Sequence, residues 1–349
     1  MEKTRKGQQG LSLMEALVAM LIGSIVLAAG AMLVTKALQI TDLVTVRSEM
    51  QQDGRAAINS ILKDLSLSGT GMPVGGVQLP TGANATASLF ACSSGVCFLK
   101  NHTFPANHMY PVLPDPNDGN VQRGAPDALT MVYLDRTLNL GTATSINASG
   151  SQIDLANVAG VNIGDLIILS NVHGSAIGMV TNVLTASNAL VFANSDPLNI
   201  NQPSAANGNI AALQDPGPGN KYPPTTAARI LVISYYLQQS AGPDGSFNTS
   251  DDNWQLMRQV NGQQPVPVMD GVENLQVSYD VYDDTASSSS STLVTNTKSA
   301  NNTPGLIRKV NVVMNVRSLR AAGPGKSLSH LTLAAAVSPR NLSFRDRYK

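Results

Sequence analysis

Residues Leu11–Val34 form an unbroken apolar run of 24 residues that contains one charge, Glu15. As a helix rising 1.5 Å per residue it is about 36 Å long, enough to cross a hydrocarbon core of about 30 Å. Lys3, Arg5 and Lys6 precede it against a single Glu2. The positive-inside rule then leaves the N-terminus cytoplasmic and the rest of the chain outside. An ordinary secretory signal explains less. The run is longer than a usual signal core, and no small-x-small cleavage site follows it. Thr35-Lys36-Ala37-Leu38 leads instead into more helix-compatible sequence. A carboxylate inside a span costs about 2.5–3.5 kcal/mol on insertion scales, so Glu15 requires a specific partner.

The rest of the chain limits what such an anchor can carry. Of 349 residues, 43% are apolar and 13% charged, yet strand-like apolar runs recur throughout, which excludes a disordered tail. Basic and acidic residues balance at 23 each, so no broad basic surface is present and nucleic acid is not an implied partner. Cys92 and Cys97 enclose Ser-Ser-Gly-Val. That spacing makes a small ring feasible, and an oxidising compartment favours a disulfide over free thiols. Two thiols without a histidine at ligand spacing are too few for structural zinc.

Past the span, Ile58, Ile61, Leu62 and Leu65 recur at i, i+3, i+4 and i+7, one apolar stripe of a helix. Asp53, Arg55, Asn59, Lys63 and Asp64 lie off that stripe, and Gly54 is a weak point of about 1 kcal/mol relative to Ala. Ser68-Gly69-Thr-Gly71-Met-Pro73 ends the helix. A helix over 11–67 is then about 85 Å long. Gly23 and Gly30, within the span, suit close helix packing. Strands are expected at 128–134, 151–155, 165–170, 176–183, 188–192, 229–237, 254–260, 272–282, 307–317 and 329–337, with 156–192 as a compact β insertion.

Gly10-Leu11-Ser12-Leu13-Met14-Glu15 resembles the prepilin signal of type IV pilins and type II secretion pseudopilins. The resemblance implies cleavage by prepilin peptidase between Gly10 and Leu11, N-methylation of Leu11, and Glu15 as the fifth mature residue. Leu11 stands where the family usually has Phe, and Met14 where it has Ile or Val. In such a family Glu15 pairs with the new α-amino group of a neighbouring subunit. At about 4 Å and an effective dielectric near 20, that attraction is roughly 4 kcal/mol before desolvation. The runs Gly271–Tyr279, Ile307–Arg317 and Leu331–Asn341 are similar in order to PilW-type minor pilins and to J-class pseudopilins. The resemblance implies an α+β fold: a long N-terminal helix packed on a mainly antiparallel sheet head with a β-rich insertion. The expected divisions are a leader (1–10), a transmembrane segment (11–34), an amphipathic helix (35–67), a variable insertion (68–228) and a C-terminal sheet part (229–349). Implied partners are prepilin peptidase, inner-membrane lipid, other minor pilins, the major pilin and a tip adhesin. The implied location is the inner membrane with a periplasmic head, then an extracellular pilus.

One loop carries ligand-type oxygens: Asp244, Ser246, Asn248, Asp251 and Asp252, beside Gly242 and Gly245. It resembles the calcium loop of major pseudopilins but lacks EF-hand spacing, and on its residues alone it reads first as a solvated hairpin loop. Asp280, Asp283 and Asp284 read as a strand-end charge cluster. Gly323-Pro-Gly-Lys326-Ser327 lacks the first glycine of a phosphate loop and reads as a turn. His102, His108, His173 and His330 are scattered, and no nucleophile elbow occurs, so an enzyme is not expected. The expected role is a minor pilin in the initiation or tip complex of a type IV pilus. The alternatives are a J-class pseudopilin and a tip-displayed binding module.

Overall fold

A computed structural model describes residues 13–73, 75–80, 108–114, 126–194, 196, 198–242, 244–247, 249, 252–261, 264–283, 292–297 and 304–343. Helix α1 runs without a break over Leu13–Leu67, 55 residues. Strands follow as β1 Val77–Gln78, β2 His108–Met109, β3 Val112–Pro114, β4 Leu129–Thr142, β5 Ser145–Ile146, β6 Gln152–Asp154, β7 Leu166–Asn171, β8 Gly174–Met179, β9 Asn182–Leu184 and β10 Ala189–Val191. Then come β11 Thr226–Ser240, β12 Asn253–Val260, β13 Val266–Asp270, β14 Val272–Asp283, β15 Thr292–Thr297, β16 Ile307–Arg317, β17 His330–Val337 and a short α2, Arg340–Ser343. The chain divides into two compact units, Met1–Gln52 with Ser318–Ser329, and Asp53–Arg317 with His330–Lys349.

In the first unit, the part of α1 up to Val34 is apolar on all sides apart from Glu15; the helix's richest stretch has a mean hydropathy of 2.6 and none of it is buried. Such a helix fits a lipid solvent and not an aqueous one. At Gly23 and Gly30 a Cβ would meet nothing within 4 Å. Farther along, residues 318–329 fold back on the helix. Arg320 Nη1 lies 2.6 Å from Asp42 Oδ1, and Arg47 Nε donates to Ser329 Oγ at 3.4 Å. Gly323 sits at φ +81°, and a Cβ there would lie 3.2 Å from Leu43, so any side chain strains the backbone and crowds the helix. The run 323–327 is a turn closed by an Ala322–Ser327 bridge.

The second unit is the head. Its main sheet has the order β13-β12-β11-β4-β3, and β7 extends it by pairing with β11 while β8 pairs with β7. A second sheet has the order β15-β14-β16-β17, and a small one β5-β6-β10-β9. All pairings are antiparallel. The near-continuous apolar run Leu166–Leu169 has a physical reason. Leu166 and Ile168 enter one core with Val132, Ile230 and Val232, while Ile167 and Leu169 enter another with Ile153, Leu190 and Phe192. A strand covered on both faces loses polar alternation.

Strands arise at all the expected places, with two differences. The 176–183 run splits into β8 and β9, and β4 continues well past residue 134. The 156–192 segment is not self-contained: β7 joins the main sheet through the Thr226–Ile230 part of β11. The unexpected strands are mostly two or three residues long, too short to show a period. β13 was hidden by Pro267, which is tolerated at a sheet edge.

The 53–67 part of α1 packs on the head through Ala57, Ile58, Ile61 and Leu65, all buried, with Leu62 half-buried. Gly54, expected only as a weak point, is where the helix meets the second sheet: a Cβ there would lie 2.7 Å from Leu333 Cδ1 and 3.8 Å from Val316. The nearest atom is the end of a flexible side chain. Gly54→Ala is therefore expected to change stability by less than about 1 kcal/mol, because helix propensity offsets a small rotation of Leu333. Gly54→Leu forces the helix off the sheet and is expected to cost about 1–3 kcal/mol. Chemical denaturation of both variants measures the difference.

Candidate functional site

Two places on α1 carry charge where apolar contact dominates. The first is Glu15, in the first turn of the helix and exposed, beside Leu13 and Met14 at 81% and 72% exposure. A carboxylate at a helix N-terminus faces the positive end of the macrodipole. Its nearest surroundings are apolar: Met14, Val18, Ala19 and Ile22. Among the described residues no basic side chain of its own helix pairs with it, so a full counter-charge must come from elsewhere. Gly10 and Leu11, the expected cleavage and methylation positions, lie outside the described residues, as do Cys92 and Cys97.

The second is Asp64, on the head-facing part of the same helix. The stripe counted from Ile58 leaves it aside, yet it is 5% exposed. Counting from Ala57 instead places Ala57, Ile61, Asp64 and Ser68 at i, i+4, i+7 and i+11, so Asp64 shares the buried face. Three donors from three neighbouring strands converge on it. Tyr133 Oη of β4 donates to Oδ1 at 2.8 Å, and Tyr235 Oη of β11 donates to Oδ2 at 2.7 Å. Arg258 Nε of β12 donates to Oδ2 at 2.8 Å. Ser60 Oγ lies 2.9 Å from Tyr235 Oη and ties the turn before Asp64 to the same group. Just beyond the helix, Ser68 donates to the Pro111 carbonyl at 2.7 Å, Gly69 N to the Val132 carbonyl at 2.9 Å, and Leu134 N to the Thr70 carbonyl at 2.9 Å.

Burial pushes the pKa of both tyrosines above the usual tyrosine range, and the Asp64 charge adds to it. For Arg258 burial works against the charged form, but the hydrogen bond and charge of Asp64 outweigh it and the net direction is upward. The arrangement is a neutralised anchor. Its chemistry is mechanical: it fixes the helix on the main sheet.

A second network holds the outer strands. Arg229 of β11 donates to Asp135 Oδ2 from Nε at 3.0 Å and from Nη2 at 2.6 Å, and to Asp165 Oδ2 from Nη1 at 3.0 Å. It also donates to the Gly160 carbonyl at 2.8 Å. Burial alone raises the Asp135 carboxyl, but the Thr137 hydroxyl and Arg229 bring it below its ordinary value.

In the 242–252 loop, Asp244 Oδ1 accepts from Ser246 N at 2.7 Å. Asp252 accepts from Gln239 at 3.0 Å and from the Thr249 hydroxyl at 3.1 Å. Asn248 and Asp251 lie outside the described residues, as do Asp284 and His102. Among the described residues no three His, Cys, Asp or Glu side chains come together to hold a metal ion. Asp280 is engaged by Lys309 at 3.3 Å and Asn311 at 3.0 Å, a local cross-strand cluster.

Asp64→Ala leaves Arg258 half-buried without its counter-ion and is expected to destabilise the head by about 3–5 kcal/mol, read by denaturant unfolding. The tyrosines supply a pH signature. Their folded-state values lie above the unfolded value of 10.0, so the stability they confer is complete below pH 10 and is lost as pH rises beyond it. Thermal melting at pH 11 is expected to fall below that at pH 8, and Tyr133→Phe is expected to shrink the difference.

No curated protein and no solved structure matches the chain. Residues 5–31 match the family described as the prokaryotic N-terminal methylation motif, a stretch that contains Gly10, Leu11 and Glu15. With the single apolar helix and the sheet head, this match supports a type IV pilin-like or pseudopilin protein, processed by prepilin peptidase and anchored by one span.

Proposed function

We propose that the chain is a minor pilin of a type IV pilus, acting in the complex that initiates assembly or forms the tip. The observation that carries this reading is the methylation-motif match over residues 5–31, with Glu15 in the first turn of an exposed apolar helix. Prepilin peptidase cuts after Gly10, and Leu11 becomes the methylated first residue. Glu15 then takes the α-amino group of a neighbouring subunit as its partner. An uncompensated carboxylate in lipid costs about 2.5–3.5 kcal/mol, so pairing favours one axial register on joining a filament. Cys92 and Cys97 close a disulfide on the oxidising side of the membrane in this reading.

Intact and N-terminal mass spectrometry of the protein from its native membrane tests the proposal. The mature chain is expected to begin at N-methyl-Leu11, and Glu15→Ala is expected to be processed but absent from sheared filaments. A start at Met1, or cleavage beyond Val34, sinks the proposal.

A further inference from the structure

The segment 318–329 belongs to the same compact unit as the membrane helix, and direct contacts fix its place along α1. Arg320 meets Asp42, Gly323 lies against Leu43, and Ser329 accepts from Arg47, 282 residues away in sequence. The apolar run ends at Val34. At 1.5 Å per residue Lys36 stands about 3 Å beyond that end, and Asp42 and Leu43 about 12–14 Å beyond it. The headgroup layer outside a hydrocarbon core takes up about 5–8 Å. Lys36 is therefore at headgroup level. The turn meets the helix about one Debye length, roughly 8 Å, above the headgroups.

Charge is unevenly placed about this level. Residues 35–47 and 318–329 carry Lys36, Arg47, Arg320 and Lys326 against one acid, Asp42. Of the 23 basic and 23 acidic residues in the chain, Lys3, Arg5, Lys6 and Glu2 precede Gly10. That leaves 16 basic and 21 acidic residues elsewhere, an excess of the opposite sign. Lys36 and Lys326 are exposed, and the Arg320 side chain is 55% exposed although it pairs with Asp42. Arg47 stands higher, about 20 Å beyond Val34, and holds the turn through Ser329. The next acid, Glu49, is higher still, at about 23 Å. Cations on this side of a span do not serve its orientation, because the positive-inside rule counts those on the other.

We infer that this basic collar binds anionic lipid headgroups of the membrane that α1 crosses, through Lys36, Arg320 and Lys326. Lysine and arginine close to a span attract anionic lipid, and the attraction fades within a Debye length. Lipid is favoured over an acidic partner protein because the span sets the collar's height in every copy, with or without a partner. The contact holds the turn and the emerging helix at the membrane surface while the chain is anchored there. It rests on the membrane-anchored reading.

The test uses full-length protein in nanodiscs of phosphatidylcholine, with or without phosphatidylglycerol. Amide hydrogen exchange of residues 319–327 is followed by mass spectrometry. Phosphatidylglycerol is expected to slow exchange there at least about threefold, and added salt to remove the effect. Lys36→Gln with Lys326→Gln is expected to abolish the slowing. Arg136→Gln with Lys221→Gln makes the same change of charge at exposed positions of the head and is expected to leave it intact. Exchange that ignores phosphatidylglycerol overturns the inference, as does slowing that survives the first pair of substitutions. Equal loss in both pairs makes the attraction one of net charge alone and overturns it too. Slowing that follows the number of protein copies per disc, and not the lipid, means a protein contact and refutes the lipid site. Exchange of β16 in the same samples checks that each variant is folded. Alkaline extraction from vesicles tests the anchor separately. A chain that resists extraction yet ignores phosphatidylglycerol refutes the collar alone, while a chain that is extracted refutes the membrane-anchored reading itself.

Discussion

The buried carboxylate of Asp64 ties together parts of the head that are far apart in sequence. Its three donors come from β4, β11 and β12, and each is itself built into the main sheet. A lone carboxylate in this position is strongly unfavourable, since desolvation costs several kcal/mol per ion. Two phenols and a guanidinium reverse the balance only if all three strands are in register. The network therefore acts as a check on correct docking: helix, sheet and strand register are satisfied together or not at all. An apolar residue at 64 would bury more area, yet it would not distinguish one helical rotation or one axial position from the next. A carboxylate with three fixed partners does.

Register along the sheet is set by a different device. β11 is 15 residues long and pairs with β12, β4 and β7 over different portions. Tyr235 points toward α1, while Ile230 and Val232 point into the core shared with Leu166 and Ile168. Arg229 sits on the stretch of this strand that has β4 along one edge and β7 along the other, and it binds Asp135 of β4 and Asp165, which stands just before β7. The cation thus bridges the two strands that flank a common neighbour. It also supplies a donor to the Gly160 carbonyl, a backbone group that needs one.

How much of this was legible in the sequence follows from what each signal measures. The membrane helix was legible because one solvent imposes one requirement on every residue of the run. The Ile58, Ile61 and Leu65 stripe was legible because its period matches a helix, and all three are buried. Asp64 was not, because an apolar stripe is recognised by excluding charges, and this charge is buried by partners 69, 171 and 194 residues away. Gly54 was visible as a flaw and not as a contact, since Leu333 arrives from the far end of the chain. The edge strands β13 and β15 were missed for a related reason. A strand paired on one side carries a weaker apolar pattern than a central one such as β16, whose run was found at full length.

The two acidic residues of α1 show how one helix carries two opposite kinds of specificity. Asp64 has its partners within the chain, so its cost is met on folding and it marks a permanent joint. Glu15 has none on its own helix, and Coulomb attraction grows as water is removed, so its partner is worth most in the environment where the bare charge is least tolerated. A carboxylate left unsatisfied by folding cannot stabilise the folded monomer. It can only make the monomer less stable in lipid than an assembly that supplies a cation at the right height. In the proposed pilin role that cation is the α-amino group created by cleavage after Gly10, so an uncut chain lacks the partner it would have to offer its neighbour. Processing and assembly are then coupled through a single charge pair, and the head needs no change of conformation to report that cleavage has occurred.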